Sequence, residues 1–265
     1  ATLDVRSGFR AEFVDTILGA NAHATVYSAV RVTETGQTTR TIPDYAEMAA
    51  RLAALPQVTR AAPMIRGQVM ASRDGRALGV EVLGMTLDDL RGIPRVAGSE
   101  QARGDLERFE QGITIGSGIA RELGVGVGDR IRLIAPEGMQ TAFGTAPRIN
   151  AYEVVYIFTA GRWDIDRTRI YMPFAEAQSY FNREGVADEI EVMVIDPERI
   201  EALVVPLLRA AGETALVWTW RDSDGSFLRA LEVEDNVMFV ILSILVLIAA
   251  MNIVSGLIML VKNKG

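Results

Sequence analysis

Cysteine is absent, histidine occurs once, and lysine is confined to Lys262 and Lys264. Without Cys, and with His23 standing alone, neither a zinc site nor a His-based catalytic triad can be assembled. The lack of thiols suits an oxidising compartment without demanding one. Basic residues other than the two lysines are arginines, and the net charge of −7 with a pI near 5.0 argues against a nucleic-acid binder, which carries a basic stripe. No G-x-x-x-x-G-K-[ST] run is present, so the chain is not expected to hydrolyse nucleotide itself. The stretch "IGSGIA" has the wrong order for a nucleophile elbow and reads as a strand end turning into a helix. In "DSDGS" (222–226) the glycine comes too early for an EF-hand loop, which leaves a turn and helix cap. Asp164 and Asp166 in "RWDIDR" read as loop carboxylates, with nothing nearby in sequence to raise either pKa. His23 reads as a surface or packing residue at a strand edge. We expect no catalytic residues, no metal and no cofactor.

What is present is hydrophobic length. Val237–Val261 runs 25 residues without a charge. A bilayer crossing needs about 20 apolar residues, whereas a buried core helix seldom exceeds about 14. Glu232, Glu234 and Asp235 precede the run and Lys262 and Lys264 follow it, so the positive-inside rule puts its C-terminal end in the cytoplasm and the preceding residues outside. Asn252, Ser255 and Gly256 fall within about one turn, a small polar face of the kind that packs against another membrane helix. The chain is expected to be a piece of a longer permease-like protein, from near the end of one membrane helix to just past the next.

The remainder patterns as a mixed α+β domain. "HATVYSAV", "VTRAAPMIRGQVMAS", "RALGVEVLGM", "GITIG", "GDRIRLIA", "YEVVYIFTA", "RTRIYMPF", "EIEVMVID" and "ALVWTW" read as strands. "PDYAEMAARLAAL", "DLERF", "SGIARELGV", "FAEAQSYFN" and "PERIEALVVPLLRAAG" read as helices, several opened by Pro or closed by Gly. Two lobes are expected, with 98–104 ("GSEQARG") as an internal linker and 100–130 and 170–212 as helix-rich parts of one lobe. Our boundaries are a connecting helix over 1–22, the α+β domain over 23–225, and a long helix over 226–265. Between two strands lies "APEGMQTAFGTAPRIN", too long for a tight turn and too apolar for an idle loop.

The run "GIARELGVGVGDRIRLIAPEGMQTAFGTAPRINAYEVVYIF", with "RIYMPFAEAQSYF", "GFRAEFVDTILGANAHATVY" and "AAMNIVSGLIMLVKNKG", resembles the LolC/LolE family of permease subunits of the lipoprotein-releasing ABC transporter. The resemblance implies a two-lobed periplasmic domain of the MacB-like kind followed by a transmembrane helix, in the bacterial inner membrane. It implies as partners a LolD-like ATP-binding subunit, a second permease subunit, lipoprotein substrates and the periplasmic carrier LolA. By position, the carrier-binding hook is residues 136–147, with Pro136, Met139, Gln140, Phe143, Gly144 and Pro147 forming it. A polar patch at its base corresponds to Arg132, Arg148 and Asn150. "AGRWDIDR" departs from the family's Gly-Met-x-x-Tyr-Asp pattern. Other readings stay open: a macrolide-efflux or cell-division type of permease, a single-span anchored binding module, or an apolar tip that folds back onto its own domain.

Overall fold

The computed structural model describes residues 18, 20–32, 38–141, 144–222, 241–246 and 248–251. The chain divides into two units, Ala1–Thr219 and Trp220–Gly265. In chain order the first contains β1 (Ala24–Ser28), the short β2 (Arg31–Val32) and β3 (Thr38–Thr39), α1 (Tyr45–Ala53), β4 (Val58–Arg73) and β5 (Arg76–Met85). Then follow α2 (Leu87–Arg91), α3 (Pro94–Ala97), β6 (Arg103–Gly104), a 3₁₀ turn (Leu106–Gln111), β7 (Ile113–Gly116) and α4 (Ser117–Leu123). β8 (Arg130–Thr141), β9 (Gly144–Phe158), α5 (Trp163–Thr168), β10 (Arg169–Pro173), α6 (Phe174–Tyr180), β11 (Glu189–Val194), α7 (Ile200–Ala211) and β12 (Ala215–Thr219) complete it.

β4 belongs to both halves of this unit. Its first part pairs with β11, and β11, β1 and β12 continue an antiparallel sheet on which α1 packs over β4 and α7 over β12. From Ile65 onward β4 pairs instead with β5, through the turn at Asp74 and Gly75. Both turn residues have positive φ, 47° and 79°, the geometry whose twist matches a two-residue hairpin. β5 then pairs with β10, β10 with β7, β7 with β9, β9 with β8, and β8 with β4. The pairings return to their starting strand, so the second half is a closed six-stranded barrel.

Alternation fills it. On β10, Ile170 and Met172 join the inner cluster with Val69, Val82, Ile115 and Leu133, while Tyr171 between them joins an outer cluster with Leu83, Phe109 and Phe158. Ile119 and Leu123 of α4 pack with the inner set; Leu90 and Val96 of α2 and α3 pack with the outer one. The two expected lobes are therefore two regions of one β-structure sharing a strand. The expected linker is not one: Arg103 and Gly104 pair with Ile157 and Tyr156, and the Ser99 hydroxyl donates to the Thr159 carbonyl at 2.9 Å. Nor do 170–212 lie in one lobe, since β10 belongs to the barrel and β11 to the open sheet.

In the second unit, 241–246 and 248–251 are helical and exposed. Among the described residues no helix is long and apolar enough to cross a membrane, and the rest of Val237–Val261, including Asn252, Ser255 and Gly256, lies outside them.

Candidate functional site

The long apolar insertion is the meeting of β8 and β9. Their antiparallel register runs from Arg130↔Glu153 to Ala135↔Arg148, breaks, and resumes with Met139↔Ala146, Gln140↔Thr145 and Thr141↔Gly144. Across the break, Pro136, Glu137 and Gly138 face Pro147 alone. Neither proline has an N–H to give the ladder, so regular pairing fails there and the extra residues form a bulge, which bends and twists a strand. Up to this point β8 is flanked by β4 as well, through Met70↔Ile134, Ala71↔Leu133 and Ser72↔Arg132. Beyond it, β8 and β9 have only each other among the described residues. Residues 136–141 and 144–147 thus form a two-stranded arm on the barrel wall. Met139, Gln140 and Gly144 are described in backbone only, and Phe143 lies outside the described residues.

The expected polar patch is divided. Period-2 alternation puts Arg132 on the outer face, between buried Ile131 and Leu133. Arg148 and Asn150 stand across from Ala135 and Leu133, on the opposite face. Arg148 donates from Nη1 to the Tyr180 carbonyl at 2.8 Å and to the Ser179 carbonyl, and from Nη2 to Asn182 Oδ1 at 2.8 Å. It caps the last carbonyls of α6, where a cation also suits the helix dipole. Asn150 Nδ2 donates to the Tyr152 hydroxyl at 3.1 Å, which donates to Glu176 Oε1 at 2.6 Å. Burial and then that bond to Glu176 push the Tyr152 hydroxyl up. These two patch residues thus anchor the arm's base to α6, and Arg132 alone faces outward.

The outer face holds residues that sequence reasoning passed over. Ile134 stands directly across from both Met70 and Ile149, which are 49% and 56% exposed. Beside them a cavity of about 830 Å³ is lined by Val69, Met70, Gly79, Val80, Ile134 and Pro147. The available signal was Met70, an apolar residue on the strand face that also carries Gln68 and Ser72.

The remaining candidates are structural. His23 Nδ1 accepts from the Val194 amide at 3.0 Å, and burial lowers its pKa to about 4. Asp164 and Asp166 are not in a loop but in α5. Asp166 is buried and accepts the Ala160 amide at 2.7 Å; burial pushes its carboxyl up, a shift its neighbours in sequence did not foretell. No cluster of three His, Cys, Asp or Glu able to hold a metal occurs among the described residues.

Residues 2–207 match the MacB-like periplasmic core domain, and the chain belongs to that family. Its similarity extends to LolC and LolE. The chain is 28% identical over 267 residues to the lipoprotein-releasing system transmembrane protein LolC of Neisseria meningitidis serogroup B. It is 28% identical over 268 residues to the LolE protein of Haemophilus influenzae. Each match covers 99% of this chain and 62% of the relative, so the chain spans less than two thirds of their length. The expected LolC/LolE resemblance is borne out. Among solved structures, the periplasmic region of MacB from Actinobacillus actinomycetemcomitans is similar at 9% identity and a TM-score of 0.48, covering 83% of this chain and 98% of that one. The extracellular domain of the transporter YknZ from Gram-positive bacteria is similar at 13% identity and a TM-score of 0.46, covering 74% and 100%.

Proposed function

We propose that this chain is the periplasmic domain and an adjoining membrane segment of a permease subunit in a bacterial lipoprotein-releasing ABC transporter, and that its arm over 136–147 engages a soluble periplasmic carrier of the LolA kind. The observation that carries this reading is the two-stranded arm beyond the Pro136–Pro147 bulge, whose stretch of sequence includes Met139 and Phe143. Apolar side chains at the end of such an arm are costly in water unless a partner's groove takes them.

A second observation supports an insertion between membrane segments. β1 and β12 are neighbours with Ala24 opposite Thr219, so the chain enters and leaves the domain side by side. The 25 uncharged residues of Val237–Val261 would extend about 37 Å as a helix, sufficient for the hydrocarbon core. In this reading that helix, with those of a second permease subunit, encloses the acyl chains. Leaving lipid for water costs about 0.8 kcal/mol per CH₂, so the step is driven by a cytosolic ATPase subunit and the lipid passes to a carrier held close by.

The test is capture of purified carrier by the intact gene product in detergent. Wild-type protein is expected to retain carrier and to copurify with a nucleotide-binding subunit, and Phe143→Glu to lose the carrier while keeping the ATPase. Unchanged capture by Phe143→Glu rejects the arm; absence of an ATPase partner rejects the transporter.

A further inference from the structure

Where the open sheet meets the barrel, charged side chains run in a row from strand to strand. Arg60 and Arg66 stand on β4, Glu189 and Glu191 on β11, Glu81 on β5 and Arg169 on β10. Arg66 holds both halves at once. It meets Glu189 Oε1 on the open sheet at 2.7 Å and Glu81 Oε1 on the barrel at 2.5 Å, with Glu191 Oε1 at 3.8 Å. Arg60 Nη2 meets Glu191 Oε2 at 3.3 Å. Arg169 Nη2 lies 3.8 Å from Glu81 Oε2 and continues the row. Arg169 then reaches out of the strands altogether. Its Nη1 donates to the Ala20 carbonyl at 2.8 Å and its Nη2 to Asn21 Oδ1 at 3.1 Å. Those two residues belong to the segment through which the chain comes into β1.

Three cations and three anions balance, and they are unevenly withdrawn from water: the Glu189, Glu191 and Arg169 side chains are 2%, 9% and 13% exposed, while Glu81 and Arg66 keep 23% and 34%. Buried ion pairs of this kind add little net stability over apolar packing, because desolvation offsets attraction. What they do fix is geometry, since a displaced buried charge loses its partner in a medium that cannot replace it. Apolar contacts between the halves would permit sliding at small cost; this row does not.

We propose that Arg169, backed by Glu81 and Arg66, is a clasp that fastens the incoming segment at Ala20–Asn21 to the barrel, so that movement of that segment is carried to the barrel and its arm rather than absorbed where the two halves join. The use of such coupling in transport rests on the function proposed above; the clasp itself is a property of the chain.

The absence of cysteine permits a direct test in the full chain purified in detergent. Spin labels at Ala22→Cys and Ala77→Cys report the distance between the incoming segment and the barrel, and amide exchange reports protection over 20–23. The unaltered clasp gives one narrow distance distribution. Arg169→Met is expected to broaden it and to speed exchange about tenfold or more, the change that accompanies loss of a charge-assisted hydrogen bond. Arg169→Lys, which keeps one donor for the Ala20 carbonyl, should recover part of the protection. Glu81→Gln should loosen the segment less than Arg169→Met without touching Ala20. If Arg169→Met does not fold, Glu81→Gln and Asn21→Ala decide in its place. Unchanged distances and exchange in the folded variants overturn the clasp, whatever partners the protein keeps. Failure to copurify with an ATPase overturns the function and leaves the clasp standing.

Discussion

Gly84 on β5 lies so close to α6 that a Cβ added to it would stand 2.2 Å from the Ala177 methyl carbon. No real side chain tolerates that approach, and a core packed to crystal density has little room to yield. We expect Gly84→Ala to cost about 1–3 kcal/mol, the range for overpacking. Urea denaturation should show a lower midpoint with an unchanged slope, and Ala177→Gly in the same chain should recover part of the loss.

His23 makes stability depend on acid. Its folded-state pKa, near 4, lies below the ordinary value of 6.5, and protonation of Nδ1 would also evict the Val194 amide. Between those two values the unfolded chain takes up a proton that the folded chain refuses. The stabilisation is therefore complete above about pH 6.5, falls as pH drops toward 4, and amounts to about 3 kcal/mol at most. Thermal melts across this range should flatten in His23→Gln.

Removing Arg66 alone should be far worse than removing its partner with it. Arg66→Met strands Glu189 in a buried site, for which a cost of about 3–5 kcal/mol is usual. Burial already pushes the Glu189 carboxyl up against the pull of Arg66. Without the arginine it rises further, so the variant should be less impaired at pH 5, where the carboxyl takes a proton, than at pH 8. Arg66→Met with Glu189→Gln should regain much of the difference at the higher pH. Equal losses at both pH values would contradict this account.

Arg148, paired with Ala135 at the arm's base, and Arg132, three positions before Ala135 on β8, should separate in two assays. Arg148→Ala frees the end of α6 and is expected to cost about 1 kcal/mol or more in stability. Arg132→Ala, on an exposed position, should stay within about 0.5 kcal/mol. In carrier capture the order should reverse for charge reversals, with Arg132→Glu weakening retention more than Arg148→Glu.

The strands were legible because burial on this fold alternates: Val80, Val82 and the intervening Glu81 announce a strand with two unlike faces. The β4–β5 hairpin was legible through Asp74-Gly75. Barrel closure was not. It depends on β10 lying parallel to β5 and β7 parallel to β9, pairings between distant stretches that leave no local mark. The linker reading of 98–104 failed because small and polar residues look alike whether they span open water or lie, as Ser99 and Gly104 do, against β9 and its end. The helix at Asp166 was missed because a six-residue helix offers too few turns for a period to show. For the site, the composition of 136–147 was readable, but the division of Arg132 from Arg148 needed the β8–β9 register, which the two prolines interrupt only beyond that point.

The pairing of Ala24 with Thr219 also sets the order of assembly. The first strand of the open sheet lacks its outermost neighbour until nearly two hundred further residues have been made. Its other neighbour, β11, comes only slightly earlier, so for most of synthesis β1 has no partner, a slow, long-range closure that favours sticking to other chains. Assembly is accordingly most exposed in the interval before β11 emerges, when the barrel strands are complete and β1 still stands unpaired.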